Sequence, residues 1–151
     1  MDYQMTLARH LLQIKAIKLS PQKPFTWASG MLSPIYCDNR LALSQPVVRR
    51  LIRDGFSHLA TSYDNTDGIA GVATAGIAHG VLLADYLELP FIYVRSKAKA
   101  HGRQNQIEGA LLPEKNYLVV EDLISTGGSS LQAVKAIREA GAMVNATVAI
   151  F

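Results

Sequence analysis

Residues 117–130 read Tyr117-Leu118-Val119-Val120-Glu121-Asp122-Leu123-Ile124-Ser125-Thr126-Gly127-Gly128-Ser129-Ser130. An apolar run meets two acids, then a short loop of hydroxyls and glycines. An apolar run of that length, bounded by turn residues, has the form of a buried strand, Tyr117 to Glu121. The stretch from about Gly128 to Ala140 follows as a helix, with Gly141 where a left-handed residue ends it. Strand, glycine loop and helix in that order make one half of a parallel βαβ unit.

Working outward, the same alternation recurs. Val144 to Phe151 forms a strand after the helix. Upstream, Asp67 to Ala73 is a buried strand, Ala75 to Leu87 a helix and Phe91 to Arg95 a strand. A further helix runs from Ser44, as N-cap with Pro46 in the first turn, to about Leu59. Residues 4–17 carry Leu7, Leu11, Leu12 and Ile14 at helical spacing. Pro21, Pro24 and Gly30 restrict Ser20 to Ser33 to a structured loop or short hairpin. Strands alternating with helices define an α/β fold, a Rossmann-like parallel sheet with helices on both faces. Residues 1–151 form a single domain on this reading, with an N-terminal helix and hood over residues 1–40. The last strand has no covering element after it, which parallel strands normally have, so a chain truncated at its C-terminus is expected.

Composition bounds the function. The chain has 151 residues, 49% of them hydrophobic and 18% charged, which suits one packed core rather than a disordered chain. Its net charge of +3 suits anionic ligands, but is too small to indicate nucleic acid by itself. One cysteine, Cys37, leaves no internal disulfide. With neither a signal-peptide pattern nor an 18-residue apolar run, a cytoplasmic enzyme without membrane partners is expected.

The chemistry concentrates at the carboxyl end of the Tyr117–Glu121 strand, where open α/β sheets bind ligands. Backbone N–H groups around Gly127 and Gly128, the hydroxyls of Ser125, Thr126 and Ser129, and the helix N-terminus make a seat for a phosphate. Glu121 and Asp122 would repel that phosphate, so they need another target on the same ligand. The vicinal hydroxyls of a ribose supply one, and the acids favour positive charge developing on the sugar ring. Neither G-x-x-x-x-G-K-[ST] nor G-x-G-x-x-G fits here, which argues against a P-loop kinase or a dehydrogenase.

A second pattern lies between Arg95 and Gly109. Arg95, Lys97, Lys99, His101 and Arg103 fall on alternate positions, so an extended ribbon puts them on one face. Glu108 alone offsets them, and Ala98, Ala100 and Gly102 keep the ribbon small and flexible: a basic flap for a pyrophosphate. Thr74-Ala75-Gly76-Ile77, between a strand and a helix, offers N–H groups from the other side. Cys37 is expected to be a small apolar filler, His10, His58 and His79 structural or surface residues, and Trp27 a packing residue or a lid on a base pocket.

The string Val119–Ser130 resembles the 5-phosphoribosyl-1-pyrophosphate (PRPP) signature of the type I phosphoribosyltransferases. Phe25-Thr26-Trp27-Ala28-Ser29-Gly30 and Ser33-Pro34-Ile35-Tyr36-Cys37-Asp38-Asn39-Arg40 resemble the base-binding hood of the orotate-using branch of that family. Ala73–Ile77, Tyr93–Lys99 and His101-Gly102 extend the likeness over nearly the whole chain. Some members carry lysines where this chain has Ala28 and Ala75, so those contacts are not available here.

The resemblance implies a Mg²⁺-dependent enzyme of pyrimidine biosynthesis that makes orotidine 5′-phosphate from orotate and PRPP. It implies that Arg95, Lys99, His101 and Glu121 to Ser129 bind PRPP, that Lys99 and Asp122 are catalytic, and that Ser125 touches orotate. It also implies a homodimer in which each flap completes the neighbouring site. Mg²⁺ would be held chiefly by oxygens of PRPP, without a dedicated protein cage. The rivals are a purine phosphoribosyltransferase and a PRPP-binding regulator without catalysis; the latter would need a nucleic-acid-binding element, and no helix-turn-helix or arginine-rich arm is legible.

Overall fold

The computed structural model of the chain describes residues 2–97 and 106–151. They form two compact units, Met1–Gly55 and Phe56–Phe151.

The first unit opens with helix α1, Tyr3–Gln13, whose N-terminus is capped by Asp2 accepting the Met5 N–H at 3.0 Å. Residues 4–17 were expected to be helical throughout, but Lys15 has a φ of 59°, which stops the helix short. The chain then turns into strand β1, Ile17–Leu19, because those residues pair antiparallel with strand β4, Ile35–Cys37. Between them, β2 (Phe25–Thr26) and β3 (Leu32–Ser33) make the short hairpin expected within Ser20–Ser33. Trp27 pins it by donating Nε1–H to the Ile35 carbonyl at 2.8 Å, and the rings of Phe25 and Tyr36 pack 5.5 Å apart. A 3₁₀ turn at Asn39–Ser44 precedes helix α2, Pro46–Ala60. Ser44 is therefore not the N-cap: the first helical bond runs from the Arg49 N–H to the Gln45 carbonyl at 3.0 Å.

The second unit is built on strands β5 (Gly68–Val72), β6 (Phe91–Val94), β7 (Ile107–Glu108), β8 (Asn116–Glu121) and β9 (Met143–Ala149). Helix α3, Ala75–Leu87, connects β5 to β6, and α4, Gly128–Glu139, connects β8 to β9. Among the described residues the sheet order is β7-β6-β5-β8-β9, parallel except for β7, which pairs antiparallel with β6. Three of the four long strands match the sequence reading to within a residue or so at each end; β9 starts at Met143 and gives way to irregular chain before Phe151. The expected end of α4 holds as well, with Gly141 at a φ of 90°.

Alternation along the strands sorts the core into two layers. Ala70, Val72, Ile92, Val94, Tyr117 and Val119 pack with Ala133, Ala136 and Ile137 of α4. On the opposite face α3 comes so close that a Cβ on Gly71 would lie 2.9 Å from the Gly76 carbonyl oxygen and 3.1 Å from the Phe91 ring. Helices thus cover both faces. β5, β6 and β8 share one direction, so Ala73, Arg95 and Asp122, the residues that follow them, leave from one edge of the sheet. No helix among the described residues is long and apolar enough to cross a membrane.

Candidate active site at the carboxyl edge of the sheet

Strand β8 delivers the acid pair. Glu121 is its last residue and is only 5% exposed. One carboxylate oxygen accepts the Asp122 N–H at 2.9 Å, and the other accepts the Ser129 hydroxyl at 3.0 Å. Burial pushes the Glu121 pKa up to about 7, a hydrogen bond with the Asp122 side chain acts in the same direction, and the Asp122 N–H and Ser129 hydroxyl oppose them. Near neutral pH the pair therefore carries less than its full negative charge, which reduces its repulsion of a phosphate bound beside it. The two acids divide the work: Glu121 turns inward and braces the loop against the start of α4, while Asp122 is half-buried.

The loop after them is built for access. Ile124, Ser125, Thr126, Gly128 and Ser129 are exposed, and Leu123 and Gly127 are half-buried. Gly127 takes a φ of 80° at the N-cap of α4 and has no side chain to bond the first-turn N–H groups. Those amides, with no acid in the first turn, leave the positive end of the helix open toward an anion. The Ile124 N–H donates to the Phe151 carbonyl at 2.9 Å, tying the loop to the chain after β9. The sequence reading turned the Ser129 hydroxyl toward a phosphate; in the structure it donates to Glu121 instead, and its backbone N–H stays in the first turn.

Two neighbouring connections flank the loop. The β5–α3 turn is only two residues long, its Ala73–Thr74 peptide bond is cis, and Thr74 makes no side-chain cap. Gly76 is obligatory there: a Cβ would collide with the Val120 carbonyl oxygen. At the end of β6, the Arg95 N–H bonds the Gln106 carbonyl at 2.8 Å, which closes the base of the expected flap as a pair of antiparallel strands. The Arg95 guanidinium lies 3.5 Å from the Glu108 carboxylate. Lys99, His101 and Arg103 lie outside the described residues. Lys97 is described and exposed.

Of the two places expected for His79, structural or surface, it takes the first. His79 is 2% exposed on the sheet-facing side of α3, and neither ring nitrogen has a hydrogen-bond partner. A lone histidine three residues after Gly76, within Ala75-Gly76-Ile77-Ala78-His79-Gly80-Val81-Leu82-Leu83, was the available signal. In the first unit, Cys37 donates its thiol hydrogen to Asn39 Oδ1 at 2.8 Å. Among the described residues no group of three or more His, Cys, Asp or Glu side chains could hold a metal ion.

A doubly covered, mostly parallel sheet, with an acid pair beside an uncapped helix N-terminus at its carboxyl edge, defines an α/β protein of the kind that binds ligands at that edge. Comparison with known proteins is consistent with that class and narrows it. Residues 44–151 match the phosphoribosyl transferase domain. The chain is 57% identical, over 96% of its length and 72% of the relative's, to an orotate phosphoribosyltransferase of Staphylococcus saprophyticus. With the orotate phosphoribosyltransferase of Bacillus subtilis it shares 56% identity over 96% of this chain and 68% of that one. Among solved structures, orotate phosphoribosyltransferase from Aeropyrum pernix superposes with a TM-score of 0.81 at 29% identity, covering 95% of this chain and 79% of that one. Leishmania donovani UMP synthase gives 0.82 at 29% identity, over 97% of this chain and 31% of that one. The chain belongs to the phosphoribosyltransferase family, among the orotate phosphoribosyltransferases.

Proposed function

We propose that the protein transfers the 5-phosphoribosyl group of PRPP to orotate, giving orotidine 5′-phosphate and pyrophosphate, a step in UMP biosynthesis. The observation that carries this reading is the Glu121–Asp122 pair set beside the open N-terminus of α4. The first-turn amides and the hydroxyls of Ser125 and Thr126 receive the 5′-phosphate, and Asp122 accepts hydrogen bonds from the ribose hydroxyls. As the C1′–oxygen bond breaks, pyrophosphate leaves with the bonding pair. N1 of orotate, having given its proton to solvent, forms the new bond to C1′. Positive charge builds on the ring between these events, and the fixed carboxylate of Asp122 stabilises it without having to reorganise.

Glu121 serves by holding the loop, through Ser129, and by keeping the charge of the pair moderate. Arg95, Lys99 and His101 neutralise the leaving pyrophosphate, with the flap crossing to the partner subunit of a homodimer, and Ser125 contacts the orotate ring. The donor set suits Mg²⁺, since the Asp122 carboxylate is a hard oxygen donor beside the place where substrate oxygens would supply the rest. Bound there, Mg²⁺ would neutralise charge on the diphosphate. Orotate consumption, followed by ultraviolet absorbance with PRPP and Mg²⁺, tests the proposal. Turnover of orotate is the expected result; a protein that leaves orotate untouched and consumes a purine base overturns it.

A further inference from the structure

The face that α3 buries consists of Gly76, His79, Gly80, Leu83 and Ala84, of which His79 alone carries polar side-chain atoms. Its Nδ1 and Nε2 are both without a partner. A buried imidazole with an unmatched donor and acceptor costs stability that an aliphatic side chain of similar volume would not. The position of the ring suggests what offsets that cost. Gly76 abuts the backbone of Val120 and Glu121, and residue 79 lies on the same helix face, one turn further along. Helical side chains lean toward the N-terminus, which carries the ring back toward the end of β8. Asp122 lies within its electrostatic reach: burial lowers the pKa of His79, and the charge of Asp122 pulls it back up.

Resting on the PRPP reading of this site, we infer that His79 is a positioning residue. When the ribose is bound, a ring N–H of the buried neutral imidazole holds the Asp122 carboxylate in the orientation its hydroxyls require. A neutral imidazole has one donor to give, and behind an acid it leaves the outer carboxylate oxygen to the ligand. His79 itself touches neither substrate nor the reacting atoms.

Three variants test this role: His79→Leu, which keeps the volume and removes the donor, and His79→Asn and His79→Gln, whose amides mimic the two ring nitrogens. PRPP affinity is measured by titration calorimetry with Mg²⁺, alongside kcat with orotate and thermal melting. The expected result is an affinity and a kcat each lowered about tenfold in His79→Leu, at an unchanged or raised Tm, with at least one amide variant recovering most of both. A packing role predicts the opposite order. A His79→Leu protein that matches the wild type, or amide variants that both fall as far as Leu, overturns the inference. If His79→Leu melts lower than the wild type, His79→Met takes its place under the same criteria. PRPP affinities that follow this order in a wild-type and variant series that leaves orotate untouched overturn the base assignment alone, whereas a wild type that does not bind PRPP overturns the site and this role together.

Discussion

Two strand-to-helix connections meet at the same edge of the sheet and solve different problems. The β5–α3 turn takes two residues and brings the helix backbone against β8, so that Gly76 has no room for even a methyl group. The β8–α4 loop takes six residues, 122 to 127, and spends them on an acid, exposed hydroxyls and a left-handed glycine. Close approach governs the first connection and access governs the second. The short turn fixes where α3, and with it His79, sits against the end of β8; the long loop leaves polar groups exposed at the edge of the sheet. Substitutions in the turn should therefore appear mainly as stability, and substitutions in the loop mainly as turnover.

The sharpest way to break that division is Gly76→Ala. Its new methyl group meets the backbone of Val120, which cannot move aside as a flexible side chain would, and a loss of about 3 kcal/mol in unfolding free energy by urea denaturation is expected. A loss near zero would show that the contact is not close. Asp122→Asn should do the reverse. It is expected to lower kcat about 100-fold, equivalent to about 2.7 kcal/mol, with the urea midpoint unchanged; equal loss of stability and turnover would place Asp122 with the packing residues.

Gly127→Ala lies between the two. A φ of 80° strains any L side chain, although a Cβ there would meet little, the nearest atom being Leu131 Cδ1 at 3.9 Å. A modest loss of about 1 kcal/mol is expected from the backbone alone, with PRPP affinity falling as the loop relaxes.

A further effect concerns pH. The folded-state pKa of Glu121 is raised from 4.5 to about 7, so the fold favours the protonated carboxyl. Its contribution to stability is complete below pH 4.5 and is lost as pH rises through 7. In ligand-free protein, Glu121→Gln should remove that part of the decline, so that its melting temperature falls less than that of the wild type between about pH 5 and 8. Parallel curves for the two proteins would show that Glu121 is not held in the protonated form.

Much of this was legible in the residues alone. Hydrophobic runs bounded by glycine and proline located the long strands, since a strand buried on both faces leaves a continuous apolar string. The Glu121–Ser129 segment was legible as one loop for the same local reason: acids, hydroxyls and glycines adjacent in sequence are adjacent in a loop. Local signals failed where partners are distant. Residues 14–17 look helical by spacing, yet Ile17 to Leu19 become a strand because Ile35–Cys37 lies alongside. Two-residue strands such as β7 carry too few positions for any period to show, and β7 exists because Tyr93 and Val94 offer it an edge.

The amino-acid order by itself determined the alternation of strands and helices and the acid–hydroxyl–glycine loop, because each depends on neighbours within a few residues. Tertiary structure decided how each acid is placed. Glu121 and Asp122 are equivalent carboxylates on paper; the pleat of β8 turned one inward onto the start of α4 and left the other half-buried, in electrostatic reach of His79. That difference comes from burial and from groups far away in the sequence, neither of which a linear chain can display.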